Sequence, residues 1–167
     1  TIHKPFSYLV TYGRFPSKTI IYSKDGNKIK TINESPLIED LPKVFMATQK
    51  GMRNISWRSD KPASIYYVKA QDEGDPAIET EFRDEVFVWD VPFNSEPKSI
   101  LKTIQRFSGI IWGNNEIAIA QDRWWNTRNS KTYLFNPSDS NVKPEILFDL
   151  NYQDRYNDPG RFLTEKN

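Results

Sequence analysis

The chain has 167 residues, carries a formal net charge of +1 and contains no cysteine. The near balance of basic and acidic residues gives no broad field to recruit nucleic acid or an anionic membrane, so neither is an expected partner. The lack of cysteine excludes a disulfide framework, a zinc ribbon and a thiol nucleophile. No apolar run approaches the roughly 20 residues that a membrane-spanning helix needs.

Short runs rich in β-branched and aromatic residues recur along the chain, bounded by Asn, Asp, Gly or Pro. This pattern predicts sequential antiparallel strands, because few windows keep the 3.6-residue apolar period of a helix. The dipeptide Asp25-Gly26 between two such runs is a strong hairpin signal. Eleven strands are predicted, at residues 6–11, 19–23, 28–32, 53–57, 64–70, 85–91, 99–105, 107–112, 116–121, 131–136 and 145–149.

Two segments of the chain repeat one organisation. NISWRSDKPASIYYV and GIIWGNNEIAIA each contain an apolar strand that ends in tryptophan (Trp57, Trp112), a polar turn and a second apolar strand, and two more strands follow each. The tryptophans are somewhat farther apart than the ~40–50 residues of a four-stranded propeller blade. The insertion-like loop QDEGDPAIETEFRDE accounts for the excess.

The repeat predicts an all-β fold, a partial β-propeller of about three blades of antiparallel four-stranded sheets. Its parts are a partial blade at 6–32, a linker at 33–52, blades at 53–105 and 107–149, and the start of the next connection at 150–167. A β-sandwich is the alternative, since it also consists of short strands joined by turns. Because a closed propeller needs about 4 to 8 blades, we expect the sequence to be cut from a longer one.

Long, ordered segments also carry a resemblance to a known family. ISWRSDKPASIYYVKAQDEGDP, RDEVFVWDVPF, RFSGIIWGNNEIAIAQDRWWNTRNSKTYLFNP and PEILFDLNYQDRYNDPG closely resemble the N-terminal β-propeller of glutamyl endopeptidases in the prolyl oligopeptidase superfamily. The resemblance extends from about Pro5 to Gly160. It implies a propeller that caps a C-terminal α/β-hydrolase domain, whose Ser-His-Asp triad cleaves peptides preferentially after glutamate. It also implies a secreted or periplasmic location, as in bacterial members.

The sequence offers no catalytic residue of that kind. None of the seven glycines belongs to a G-x-S-x-G nucleophile elbow, and the one histidine, His3, lies near a terminus expected to be mobile. No cofactor and no metal site are expected either. The acidic stretch Asp72 to Glu85 lacks the alternating spacing of a calcium loop and is interpreted as a solvated insertion. We therefore expect no peptide hydrolysis by this chain alone.

The segment QDRWWNTRNSK supplies the candidate substrate-binding residues Arg123, Trp124 and Arg128. Guanidinium groups beside flat aromatic rings are suited to nucleic acid, to carbohydrate or to a carboxylate-bearing peptide. The family resemblance includes a similar basic-aromatic stretch here and implies the peptide, since those enzymes prefer an acidic side chain. The alternative is purely structural, with one tryptophan packed between blades and the arginines paired with nearby acids. Trp57 and Trp112, at the ends of equivalent strands, are predicted to be core residues between blades.

These observations predict a non-catalytic propeller segment that gates and orients peptide substrates for a hydrolase domain. Its expected partners are that domain and the peptide, with possible self-association through sheet faces left uncovered. One alternative is a free-standing module that binds a protein or peptide. Another is a carbohydrate-binding β-sandwich, which would need Trp124 and Trp125 exposed side by side as a stacking platform.

Overall fold

The computed structural model describes residues 1–164 of the chain and is built from three antiparallel sheets. The first sheet is a hairpin of strands β1 (Ser17–Tyr22) and β2 (Lys28–Ser35). The second has β3 (Arg53–Trp57), β4 (Ser64–Ala70), β5 (Asp84–Asp90) and β6 (Lys98–Thr103). The third has β7 (Arg106–Trp112), β8 (Ala118–Trp124), β9 (Asn129–Phe135) and β10 (Glu145–Asn151).

Helical structure in residues 1–164 is limited to a 3₁₀ turn at Tyr12–Arg14. None of it is long or apolar enough to cross a membrane. Within each four-stranded sheet the strands are neighbours in chain order. The predicted all-β class and its antiparallel four-stranded sheets are confirmed. Three residues of the predicted 150–167 connection, 165–167, lie outside the described part of the chain.

The hairpin forms where Asp25-Gly26 predicts it. Gly26 has a φ of 82°, in the left-handed region that glycine adopts without steric cost, and its amide donates to the Ser23 carbonyl at 3.0 Å. The Ser23 amide in turn donates to the Asn27 carbonyl at 2.8 Å and closes the turn. The two strands are longer than predicted, because their pairing extends from Ser17 opposite Ser35 to Tyr22 opposite Lys28.

The strand predicted at 6–11 is wrong. These residues form bends with no partner strand, and Tyr8 and Leu9 are exposed. The Leu9 amide donates to the Ser7 hydroxyl at 3.0 Å, so a side chain takes the place of a ladder partner. The contact with β1 is made earlier in the chain, by a single bridge between Ile2 and Ser17. Strand propensity needs a neighbouring edge to become a strand, and this segment has none among residues 1–164.

Both faces of the second sheet are covered by a neighbouring sheet. Its strands can contribute to both interfaces because their side chains alternate between the two faces. On β4, Ile65 packs toward the hairpin with Ile21 and Ile32, whereas Val68 packs toward the third sheet with Ala120 and Phe135. Successive strand side chains point to opposite faces, so one strand can serve two cores. The result is a stack of three sheets with two apolar interfaces, and not the two-layer sandwich held as the alternative.

Trp57 and Trp112 differ in burial, although both end the first strand of a four-stranded sheet. Trp112 packs against the core between the second and third sheets and carries the Arg58 guanidinium over its ring at 4.1 Å. Trp57 is 52% exposed, and its ring meets the edge of the Phe93 ring with centroids 6.4 Å apart. Both tryptophans end edge strands, so the difference lies in what covers them: Trp112 packs against the core between the second and third sheets, whereas Trp57 lies outside the core between the second sheet and the hairpin. Trp57 therefore does not occupy the core position predicted for it in this chain.

Candidate functional site

One end of the two four-stranded sheets carries a network of buried charges. Asp72 follows β4, Asp84 begins β5 and Arg106 begins β7, so the turns of both sheets bring them together. Arg106 donates to Asp72 at 2.7 Å and to Asp84 at 3.2 Å. Arg83 donates to Asp72 at 2.9 Å, and the guanidinium of Arg53 contacts Asp84. Three guanidinium groups therefore face two carboxylates, both fully buried.

The two carboxylates are held by backbone amides as well as by arginines. Asp72 accepts from the Gly74 amide at 3.0 Å, and Asp84 accepts from the Phe107 amide at 2.6 Å. Burial alone would raise the pKa of Asp72, but hydrogen bonds from Arg106 and Arg83 and the charge of Arg106 outweigh it, so this pKa lies below its usual range. Asp72 is thus a fixed negative charge at neutral pH.

A third buried aspartate, Asp122, occupies in the next repeat the place that Asp72 has in the first. The tripeptide Ala-Gln-Asp occurs at 70–72 and again at 120–122. Asp122 accepts from the Tyr133 hydroxyl at 2.6 Å and from the amides of Gln105 and Lys131 at 2.9 and 3.1 Å. No arginine pairs with it among the described residues, and burial raises the pKa of Asp122 despite these hydrogen bonds.

The linker segment 44–50 is fastened to this same end. The Arg106 Nε donates to the Met46 carbonyl at 2.8 Å, and the Thr48 amide donates to the Gly74 carbonyl at 2.9 Å. Gly74 has a φ of 82°, and a Cβ there would stand 1.9 Å from the Thr48 carbonyl oxygen. Only glycine permits so close an approach of the two backbones. The linker is therefore part of the site.

The predicted basic-aromatic segment, residues 121–131, lies at the same end of the sheets, and its aromatic rings stack on neighbouring side chains. Trp125 stacks on Phe45 with ring centroids 3.9 Å apart, and the Arg128 guanidinium lies 3.8 Å from the same ring. Since each face of the ring has room for one group, Trp125 lies between Phe45 and Arg128. Arg128 also donates to the Trp125 carbonyl at 2.6 Å.

Trp124 has different partners. The Arg83 guanidinium lies over its ring at 4.8 Å, and the residue is half-buried. The two tryptophans are thus covered separately, and the exposed side-by-side platform required by the carbohydrate alternative is not formed. Arg123 is exposed and lies 6.0 Å from the Tyr152 ring.

The acidic stretch is only partly the solvated insertion that its composition suggests. Glu79 and Glu81 are exposed, but Asp72 and Asp84, near its ends, are fully buried in the arginine network. Arg83 ties the loop together by donating to the Pro76 carbonyl at 3.1 Å and the Ile78 carbonyl at 2.5 Å. Within residues 1–164, no three His, Asp or Glu side chains are grouped so as to hold a metal ion.

Sequence reasoning missed Asp72, Asp84, Asp122, Arg53 and Arg106. The repeated Ala-Gln-Asp is the signal that could have revealed two of them, because it places aspartate at the same point of two strand pairs. Nothing local marks Arg53 or Arg106, whose roles depend on which loops meet. The ring of His3 meets the carbonyl of its neighbour Lys4 at 2.9 Å, and its backbone amide donates to Pro16.

The chain is similar to two plant proteins over nearly its whole length. A protein from Oryza sativa subsp. japonica named "Probable glutamyl endopeptidase, chloroplastic" is 40% identical over 162 residues, which are 96% of this chain and 17% of the relative. A protein of the same name from Arabidopsis thaliana is 36% identical over 168 residues, 99% of this chain and 17% of the relative. No known family model matches the chain, and no solved structure matches it.

Proposed function

We propose that this chain is a non-catalytic β-propeller segment of a longer serine-type peptidase, similar to the glutamyl endopeptidases. One observation carries the proposal: two proteins named as such peptidases match 96% and 99% of the chain within 17% of their own length. The proposed role is to gate and orient peptide substrates for an α/β-hydrolase domain elsewhere in the protein.

The sheet arrangement supports the propeller interpretation. Each four-stranded sheet is a meander in chain order, and successive sheets pack face to face, as blades of a propeller do. A segment of this kind contributes to peptidase activity by steric exclusion and charge. The secreted or periplasmic location stays a prediction for this chain, and the names of the two relatives place those proteins in the chloroplast.

Arg123, Trp124 and Arg128 remain the proposed contacts for an acidic substrate. Arg123 is exposed and able to meet a carboxylate directly. Arg128 is held by the Trp125 ring and carbonyl, so it would act as a positioned charge. Trp124 lies under Arg83 and would support that neighbouring cation.

The gating role is tested on the longer protein that contains this chain. One glutamyl bond is presented in a short peptide and again within a stably folded protein, and initial cleavage rates are compared. We expect the short peptide to be cleaved and the folded protein to be spared until it is unfolded. Equal cleavage of both forms would contradict gating and favour a free-standing interaction module.

The charge role is tested with Arg123→Gln and Arg128→Gln in the same protein. We expect each to raise the KM for glutamyl peptides at low salt, with little change in kcat, because exposed charges attract substrate over distances that salt screens. The KM for a neutral control substrate should stay unchanged. A loss of kcat with unchanged KM would show that these arginines act otherwise.

A further inference from the structure

The free edge of strand β1 already begins to pair with the start of the chain. The Thr1 nitrogen donates to the Lys18 carbonyl at 2.8 Å, and the Lys18 amide donates to the Thr1 carbonyl at 2.8 Å. The His3 amide donates to the Pro16 carbonyl at 3.0 Å, and the single bridge to β1 lies between these two contacts. This alternation is that of an antiparallel ladder. Residues 1–3 are therefore a short strand beside β1.

The ladder can continue in only one direction. Pro16 has no amide hydrogen and directly follows the segment of the 3₁₀ turn, so the pairing ends there. In the other direction, residues 19–22 of β1 pair with β2 on one side and have no strand on the other in the described part of the chain. Backbone amides alternate between the two sides of a strand, so those of Ile20 and Tyr22 point, like that of Lys18, to the free edge.

Residue pairs in the first two sheets show what an added strand would cover. In the second sheet Trp57, Ile65 and Trp89 form one row, because Ile65 pairs with both tryptophans. In the hairpin Ile21 pairs with Lys30. The Lys30 ammonium lies 4.5 Å from the centre of the Trp89 ring, and Ile21 shares a core with Ile65. The two rows therefore face each other, and the hairpin row has no member opposite Trp57.

Trp57 is the uncovered member of this row, at 52% exposure, whereas Ile21 and Ile65 are buried. Tryptophan contributes a large apolar surface to a core when a neighbouring side chain covers it. A strand added beside β1 would place the residue opposite Ile21 over the Trp57 ring. The exposed ring and the free backbone edge thus lie on the same side of the hairpin.

We propose that the free edge of β1 binds, as an antiparallel strand, the segment that precedes this chain in the longer protein. The contacts of Thr1 set the register, because each step backward along that segment advances one residue along β1. The second residue before Thr1 then lies opposite Ile20, and the fourth lies opposite Tyr22. The third lies opposite Ile21 and over Trp57, so it is expected to be apolar. The existence of a longer protein rests on the proposed function.

This segment fits the edge better than a second copy of the chain does. Residues 1–3 already direct it along β1, and the two relatives have most of their length outside the region that matches this chain. If two β1 edges paired around Ile21, Lys18 of one copy would face Lys24 of the other. Like charges directly opposite each other destabilise a strand pair, and lysines on an edge strand disfavour pairing between copies.

The test compares three chains: the 167 residues alone, the same chain with about six residues of its natural preceding segment, and the chain with a Gly-Ser extension of equal length. Hydrogen exchange is read at each amide. We expect the natural extension to slow exchange at Ile20 and Tyr22 roughly tenfold or more, since both amides then donate within a ladder. The amides of Thr19 and Ile21 face β2 and should exchange slowly in all three chains. Unchanged exchange at Ile20 and Tyr22 would overturn the proposal, as would a natural protein that begins at Thr1.

Quenching of tryptophan fluorescence by acrylamide tests the register. The signal of Trp57 is isolated by subtracting that of the matching Trp57→Phe variant. We expect the natural extension to reduce this quenching about twofold relative to the Gly-Ser extension, because the ring becomes covered. Aspartate at the third position before Thr1 should restore the quenching. Aspartate at the second position, whose side chain points to the opposite face, is the matched control and should not. Equal quenching with both extensions would contradict the placement over Trp57.

The remaining outcomes separate this proposal from its alternatives. Protection of Ile20 and Tyr22 that rises with concentration in the 167-residue chain would assign the edge to a second copy and contradict the proposal. If the natural extension leaves the edge unprotected while the longer protein still spares folded substrates, the strand proposal is wrong and gating stands. If the edge is protected while folded and short substrates are cleaved equally, gating is wrong and the strand proposal stands.

Discussion

Arg106 and Asp72 connect the two four-stranded sheets through a buried ion pair of 2.7 Å. Arg106 begins the third sheet and Asp72 follows the second strand of the second sheet, so this contact fixes the relative position of the two sheets at one end. Arg106 also donates to Asp84 and to the Met46 carbonyl. One side chain thus holds two sheets and the linker together.

Replacing Arg106 by leucine should strongly destabilise the chain. The change leaves Asp72 and Asp84 buried with fewer partners, and removing one member of a buried ion pair typically costs roughly 3–5 kcal/mol of unfolding free energy. Urea denaturation of the variant and of the parent chain gives the difference. The exposed control Arg155→Leu should stay within about 0.5 kcal/mol of the parent. A similar small effect for Arg106→Leu would show that the network contributes little to stability.

Asp72 and Asp122 should respond to pH in opposite directions. The pKa of Asp72 is lowered, so its contribution to stability is present above the unfolded value of about 3.9 and is lost as the pH falls through its folded pKa. The pKa of Asp122 is raised, so its contribution is fully present below about 3.9 and is lost as the pH rises through its folded pKa.

Urea denaturation of the parent chain, Asp72→Asn and Asp122→Asn is measured between about pH 3 and pH 7. This is roughly the range over which carboxyl groups of aspartate ordinarily lose their proton. The stability difference between the parent and Asp72→Asn should shrink as the pH falls. The parent should gain stability relative to Asp122→Asn over the same change. Parallel curves for the two variants would contradict the opposite pKa shifts.

Gly74→Ala should destabilise the chain more than Gly26→Ala does. Both glycines have a φ of 82°, so each change has the conformational cost of a left-handed residue, about 1–2 kcal/mol. At Gly74 the added methyl also meets the Thr48 carbonyl oxygen, whereas nothing lies within 4 Å at Gly26. The clash should add roughly 1–3 kcal/mol. Hydrogen exchange at the Thr48 amide should accelerate in Gly74→Ala alone, because that amide bonds to Gly74.

The 167-residue chain should self-associate through the outer sheets. Exposed apolar side chains occur at both ends of the stack, with Leu9 and Tyr22 beside the hairpin and Ile117 beside the third sheet. Exposed apolar patches promote association. Sedimentation velocity over a wide concentration range should show oligomers that Ile117→Lys weakens. The control Ile78→Lys replaces a similarly exposed isoleucine in the acidic loop and should leave them intact. A compact monomer at every concentration would refute the prediction.

The chain alone should not turn over glutamyl peptides. It lacks a G-x-S-x-G elbow, and the single histidine, His3, contacts the carbonyl of its own neighbour. Peptide hydrolysis is measured after repurification, with His3→Ala as a comparison. Turnover that persists after repurification and disappears in His3→Ala would show that the chain has a catalytic site of its own.

Much of the architecture was predictable from local patterns. Asp25-Gly26 specifies a tight turn because glycine adopts positive φ freely, and the runs around Val68, Val86 and Ala120 have the alternation of strands with buried faces. These signals depend on a residue and its immediate neighbours. The all-β class, the hairpin and the two four-stranded sheets therefore follow from the sequence.

The strand predicted at 6–11 and the core role of Trp57 show where this reasoning failed. Both segments have the composition of buried strands, yet residues 6–11 have no strand partner and Trp57 lies outside the core between the second sheet and the hairpin. Strand propensity indicates that a segment will form a strand if another strand lies beside it. Whether that neighbour exists is a property of the whole arrangement.

The candidate site was decided almost entirely by tertiary structure. The sequence by itself determined that Arg123, Trp124 and Arg128 lie within a few residues of one another, at what the structure shows to be the connection of β8 and β9, and the repeated Ala-Gln-Asp placed Asp72 and Asp122 at equivalent points. Only folding brought the arginines of three separate strands and loops to Asp72 and Asp84. The physical reason is that strand formation depends on local period and turn chemistry, whereas pairing of buried charges depends on which loops meet when distant sheets stack.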